Sequence, residues 1–294
     1  MEKMQTKTKI SVIHPTCRPE IARQTREEWF DLAKNPDSLE YLLCIDSKKD
    51  LIPRANIIKK NLKEFFYPLN DGKSVGPVAK INYASKHSVS DCLLFAADDL
   101  EIFKDWDYDI ENVTNWKKDA VLKITDNTEH VQQELHPHLI VNPAISRSRY
   151  EKFGYFVHPD FYANFSDFFL SFLAHKDNVV IENERIKLFH NQSKYKNQNT
   201  DNPLKRSLDE FQWEMHKGES WLYGQETFYK LVPNFITQTE IENLCKEFLS
   251  SSPNEKRQKN ILFVINSVFS SVPEHEKSRL VDVLRSHGID ISIH

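Results

Sequence analysis

Residues Cys92–Trp106 read CLLFAADDLEIFKDW. Every position from Cys92 to Ala97 is apolar, the run is short and polar residues bound it, so it predicts a strand buried on both faces of a sheet. The run stops at Asp98 and Asp99. Carboxylates placed where such a strand leaves the sheet stand at its carboxyl edge, the place where open α/β sheets bind their ligands. Two aspartates after a strand also make a plain turn, because Asp bonds its own backbone there. The company the pair keeps decides between the two.

Upstream, Lys9–Pro15 (KISVIHP) is a β-branched run closed by a proline, and Pro19 suits the first turn of a helix through Glu20–Lys34. Ile21, Ala22, Trp29, Leu32 and Ala33 give that helix its apolar side. A second strand, Glu40–Ile45, ends at Asp46. Pro53 can open a further helix in which Ile57, Ile58, Leu62, Phe65 and Phe66 recur at helical spacing, and Gly76–Val89 reads as another feeding the Cys92 strand. Strands alternating with helices predict a mostly parallel sheet with right-handed crossovers. The first hundred residues thus read as a nucleotide-binding α/β half.

The 294 residues suffice for one large domain with an appendage or for two, and 28% charged with 39% hydrophobic residues is ordinary for a globular chain. The net charge of −4 gives no global attraction to nucleic acid or an anionic membrane. Cys17, Cys44, Cys92 and Cys245 lack metal-like spacing, so a reducing cytoplasm is the expected compartment. The N-terminus has no apolar leader and no stretch approaches a membrane span, which leaves peripheral attachment as the expected route to a membrane.

Downstream, Asp105–Asn115 (DWDYDIENVTN) is acidic and aromatic and reads as a loop. Ala120–Thr125 and His138–Val141 offer two strands. His130, His136 and His138 cluster in sequence, but no cysteine or carboxylate completes a zinc set, and they read as surface or acceptor-side residues. Pro143–Ile145 then passes into a short helix stopping at Gly154. Phe165, Phe168, Phe169, Phe172 and Leu173 make a helical apolar stripe with Asp167 in its first turn, where an acidic residue is favourable in any helix. Val179–Glu182 and Arg185–Phe189 are two more strand candidates, the second delivering His190. Asn191–Pro203 is almost devoid of apolar residues and reads as a flexible loop or lid. From Leu204 the pattern is helical, with a capping box at Thr237–Glu240 and helices over Asn260–Phe269 and Pro273–Ser286. Exposed aromatics in this tail would mark acceptor binding or self-association as a homo-oligomer.

The order ISVIHPTCRPE, EYLLCIDSKKD, GPVAKINYASKHSVSDCLLFAADDL resembles the GT-A glycosyltransferases, especially inverting family 2. In that family a first strand ends in a Pro-Thr-x-x-Arg-like turn, a second in Asp, a helix carries an Arg/Lys-x-Asn pair, and the next strand runs into a DxD-type motif. Pro15, Thr16 and Arg18 match the first, with Arg18 one position early; Asp46 matches the second, Lys80 and Asn82 the third, Asp98 and Asp99 the fourth. The resemblance implies an α/β GT-A (Rossmann-like) fold with a mostly parallel sheet flanked by helices and a C-terminal helical appendage. It divides the chain into a tail (1–9), a nucleotide-sugar-binding and catalytic domain (10–191), a lid (192–203) and a helical region (204–294). It implies transfer of a sugar from a nucleoside diphosphate sugar, a UDP-sugar first, to an acceptor hydroxyl on a glycan, lipid, protein or nucleic acid. Pro15, Thr16, Arg18, Asp46, Lys80, Asn82 and Asp98 would hold the donor, and Asp99 with His190 would hold Mn²⁺ or Mg²⁺. Asp167, at the position of the family's Glu-Asp pair, would be the base, with Asp160 in HPDF as its competitor. A nucleotidyltransferase of related fold lacks its glycine-rich loop in a chain of six glycines. A catalytically silent binding or assembly module is the remaining alternative.

Overall fold

β1 (Ile10–Thr16) runs through the centre of a nine-stranded sheet with β2 (Leu39–Ser47), β3 (Asn56–Lys59), β4 (Leu62–Pro68), β5 (Cys92–Phe95), β6 (Leu100–Glu101), β7 (Val121–Asp126), β8 (Asn142–Ser146) and β9 (Val180–His190). The order is β3-β4-β2-β1-β5-β8-β7-β9-β6. The computed structural model describes residues 9–47, 56–59, 61–68, 75–126, 137–191, 219–249 and 255–286. The block β4-β2-β1-β5 is parallel; β8 enters antiparallel between β5 and β7, β9 returns parallel to β7, and β6 pairs antiparallel with β9. Alternation along β1 splits the core. Ile13 packs with α2 (Gly76–Lys86) and α5 (Ser166–Lys176) on one face, whereas Val12 packs with Trp29 of α1 (Pro19–Leu32) and Trp106 of α3 (Trp106–Asn112) on the other.

Four expectations need correction. Ile57, Ile58, Leu62, Phe65 and Phe66 do not share a helix: they lie on the antiparallel pair β3–β4. Phe65 joins the α2 face while Phe66 packs toward Ala22, Leu43 and Ile45, so the two rings alternate as strand neighbours do. Parallel pairing with β2 and the anchoring of buried Glu64 by Arg23 (2.9 Å) and Arg26 (2.8 Å) override the local spacing. The segment 105–115 is not a loop, because α3 forms within it. Asp107 accepts from the backbone N–H groups of Lys34 and Asn35 at 2.7 Å each, and the Trp106 indole donates to the Trp29 carbonyl at 2.9 Å. His138–Val141 is irregular, and the strand begins at Asn142. The two late strands are one, β9, with a register shift between its pairings to Lys123 and Thr125.

The remaining helices are α4 (Arg147–Phe153), α6 (Glu219–Leu231), α7 (Gln238–Leu249), α8 (Glu255–Ser271) and α9 (Glu274–Ser286). Phe228, Leu231, Ile261, Val264 and Leu284 join the same apolar core as Ile13 and Val121, so the C-terminal helices bury their stripes on the α/β layer through α5. The capping box is present, with the backbone N–H groups of Thr237 and Glu240 each meeting the other side chain, at 2.7 and 3.2 Å. Among the described residues, no helix is long and apolar enough to cross a membrane.

Candidate active site

Register places the ends of β1, β2 and β5 together. Thr16 lies opposite Ile45, one residue before Asp46, and β5 ends opposite Ile13, so the turn Ala96–Asp99 passes beside Thr16. Asp98 turns inward. Its Oδ1 meets His14 Nε2 at 2.8 Å, its Oδ2 accepts from the Thr16 hydroxyl at 3.0 Å, and Arg18 Nε lies 3.7 Å from Oδ2. The other ring nitrogen of His14, Nδ1, lies 2.6 Å from the Tyr41 hydroxyl, so the imidazole bridges Asp98 and Tyr41. Burial holds the Tyr41 phenol far above its ordinary pKa, which keeps it protonated. The backbone N–H of Arg18 donates to Thr16 Oγ1 at 2.7 Å, closing the turn that Pro15 begins.

Asp99 points elsewhere. Its Oδ2 lies 2.6 Å from His190 Nε2, and the pairing of β6 with β9 brings His190 there by setting it opposite Leu100. His190 reaches the surface at 28% exposure, whereas Asp99 is nearly buried at 10%. The hydrogen bond to Asp99 raises the His190 pKa above its usual value, against the effect of burial. One carboxylate oxygen donor and one imidazole suit Mn²⁺ better than Mg²⁺, and such ions ordinarily take one or two protein carboxylates and complete their shell from phosphate and water. Among the described residues no group of three or more His, Cys, Asp or Glu side chains is arranged to hold a metal by itself.

Asp46 and Lys80 form a buried pair at 2.7 Å, with Lys80 also donating to the Thr16 carbonyl at 3.4 Å. Asn82, two residues along α2, is directed away from them. Its Oδ1 accepts from the N–H groups of Phe156 and Val157 at 3.0 and 3.2 Å, and its Nδ2 donates to the Val157 carbonyl at 2.7 Å. At the start of α2, Gly76 adopts φ +82°, and a Cβ there would stand 2.5 Å from the Tyr162 carbonyl. α2 therefore ties the β1–β2 edge on one side to the 156–162 segment on the other.

That segment leads into α5 through Phe165, whose backbone is left-handed at φ 66°. Asp167 is half-buried among phenylalanines, and its Oδ1 accepts from the Phe168 N–H at 3.0 Å. Burial pushes its pKa up to about 6, with that hydrogen bond opposing the shift. Asp160 is exposed, and its backbone N–H meets His158 Nδ1 at 3.3 Å. His138 stacks on Phe263 with ring centroids 3.7 Å apart, while His130, His136, the expected lid over 192–203 and residues 204–218 lie outside the described residues.

Sequence reasoning missed His14 and Tyr41. The available signal was a histidine at strand spacing from Val12 and Thr16 in a run buried on both faces, where an imidazole requires partners.

No protein-family model matches the chain, and no curated relative does. Solved structures do. The crystal structure of TarS from S. aureus superposes with a TM-score of 0.55 at 13% identity, over 95% of this chain and 54% of that one. A crystal structure of TarS residues 1–349 gives 0.54 at 14% identity, over 95% and 90%. The fold is that of the GT-A glycosyltransferases. The chain spans about half the length of full-length TarS, and its GT-A layer carries Asp98 and Asp99 at the carboxyl edge of β5.

Proposed function

We propose that this GT-A chain is an inverting glycosyltransferase that moves a sugar from a nucleoside diphosphate sugar, a UDP-sugar first, to an acceptor hydroxyl. The observation that carries the reading is the division of labour at the β5 edge: Asp98 is engaged by His14 and Thr16, while Asp99, also nearly buried, meets the part-exposed His190. Asp99 and His190 are the residues that would hold Mn²⁺, or less favourably Mg²⁺. A bound divalent cation there would supply charge neutralisation for the diphosphate. Residues 10–191 would bind the donor and carry the chemistry, with 204–294 as the acceptor side.

Arg18, held at the edge by the Thr16 turn, supplies a fixed cation near the leaving group. Asp46 and Lys80 are engaged with each other, so they act on the donor by shaping the floor under Thr16. Asp167 takes the acceptor proton as the acceptor oxygen bonds to the anomeric carbon. The bond from that carbon to the diphosphate breaks on the opposite face, the electron pair leaves on phosphate oxygen, and configuration inverts. Partial burial suits Asp167 to this role, whereas Asp160 is exposed.

Calorimetric titration of UDP, GDP and TDP with Mn²⁺, repeated with chelator, tests the reading. Metal-dependent binding of one nucleotide supports it, and absence of binding by all three in the presence of Mn²⁺ overturns it.

A further inference from the structure

Thr25 and Trp29 stand one turn apart on the same face of α1, and both are fully buried. A threonine inside a helix can return its hydroxyl to a carbonyl of its own preceding turn. Thr25 instead donates across the molecule to the Asp98 carbonyl at 2.7 Å, and the Trp29 indole donates to the Leu100 carbonyl at 2.9 Å. The carbonyl between those two, that of Asp99, accepts from the N–H of Asn191, the residue that follows β9, at 2.8 Å. Three successive carbonyls are thus held from two directions. Each anchor is itself supported. The Trp106 indole donates to the Trp29 carbonyl at 2.9 Å and its ring packs edge-on against that of Trp29, with centroids 5.4 Å apart, while the Asn191 amide donates to Glu101 at 2.6 Å.

We propose that Thr25 and Trp29 are positioning residues that fix the Asp99 carboxylate beside His190 for a divalent cation. This rests on the reading of Asp99 and His190 as metal ligands and adds the groups that aim them. A peptide unit is planar, so the direction in which a side chain leaves the backbone is set by the two planes on either side of its Cα. For Asp99 the first plane carries the Asp98 carbonyl, held by Thr25, and the second carries its own carbonyl, held by Asn191. Trp29 extends the hold to the next plane, from which β6 runs to pair with β9 and set Leu100 opposite His190. The backbone dihedrals of Asp99 are therefore fixed from α1 and from the β9 side together, and its Oδ2 comes to lie 2.6 Å from His190 Nε2. Groups that orient a metal ligand without touching the metal govern its affinity as well as its geometry.

The test titrates Mn²⁺ into the full chain beside UDP, GDP or TDP and reads free Mn²⁺ by electron paramagnetic resonance, well below the Tm of each variant. Thr25→Val keeps the shape and removes the donor, and it should weaken Mn²⁺ binding about tenfold, the scale on which such orienting groups act. Thr25→Ser restores the hydroxyl and should bind Mn²⁺ as the wild type does. Trp29→Phe keeps an aromatic ring without the N–H; it should also weaken Mn²⁺ binding, and it decides the proposal if Thr25→Val does not fold. Wild-type Mn²⁺ affinity in folded Thr25→Val, however far its Tm has fallen, leaves the hydroxyl a purely structural role and overturns the proposal, as does an equal loss of affinity in Thr25→Ser. A wild-type chain that takes up no Mn²⁺ beside any of the three nucleotides overturns the metal reading itself, and the positioning role falls with it.

Discussion

Asp99 and Asp98 are neighbours with opposite duties. Asp99→Ala removes the oxygen ligand beside His190 and leaves the His14–Asp98–Thr16 cluster in place, so the fold should persist while Mn²⁺-dependent nucleotide binding disappears. Nucleotide affinity that is the same in this variant with and without chelator would remove Asp99 from the metal site. For Asp167, the asparagine keeps the shape but cannot take a proton. Asp167→Asn should lower kcat by about 10²–10⁴-fold with little change in donor affinity, and Asp160→Asn should have a milder effect. The base must be ionised to work, and its pKa is pushed up to about 6, so kcat should rise with pH through that value and level off above it. A flat profile between pH 5 and pH 7 in the wild-type enzyme, with chemistry rate-limiting, would count against Asp167. A crippled Asp160→Asn beside an active Asp167→Asn would reverse the two assignments.

Among the elements, α2 does the joining. Lys80 faces the β1–β2 edge, Asn82 clamps the backbone of Phe156 and Val157, and Gly76 lies under Tyr162. Replacing Asn82 by Leu strands two N–H groups and a carbonyl, a loss of about 1–3 kcal/mol for a buried polar group left unsatisfied. Urea unfolding should show that loss, and kcat should fall more than donor affinity, because the clamp steadies the segment leading to Asp167 and not the nucleotide edge. Unchanged stability in Asn82→Leu would show the clamp to be dispensable. The family pattern assigns Asn82 to the donor. The geometry assigns it to the neighbouring segment, a distinction that spacing along one helix cannot express because Lys80 and Asn82 lie about 200° apart around its axis.

For the whole molecule, the junction between the α/β layer and the C-terminal helices should make stability depend on pH. His175 on α5 is buried, donates through Nε2 to the His138 carbonyl at 2.7 Å, and stands near Lys123, Glu182 and Arg257. Burial lowers its pKa to about 4. The unfolded chain therefore binds the extra proton between the ordinary histidine value of about 6.5 and about 4. The stability contributed by neutral His175 is complete above the unfolded value and is lost as pH falls through that window. Urea unfolding across it should show a downward slope that His175→Gln reduces; equal slopes would place the acid sensitivity elsewhere. The sequence by itself determined the alternation of strand and helix, the strand buried on both faces at Cys92 and the carboxylates at its edge, because strand periodicity and chain order are local properties. It also displayed the C-terminal capping box for the same reason. Only the tertiary structure decided that Phe65 and Phe66 belong to a strand, since pairing with β2 outweighs their spacing. Contacts made across scores of residues likewise decided that Asp98 turns to His14 while Asp99 meets His190.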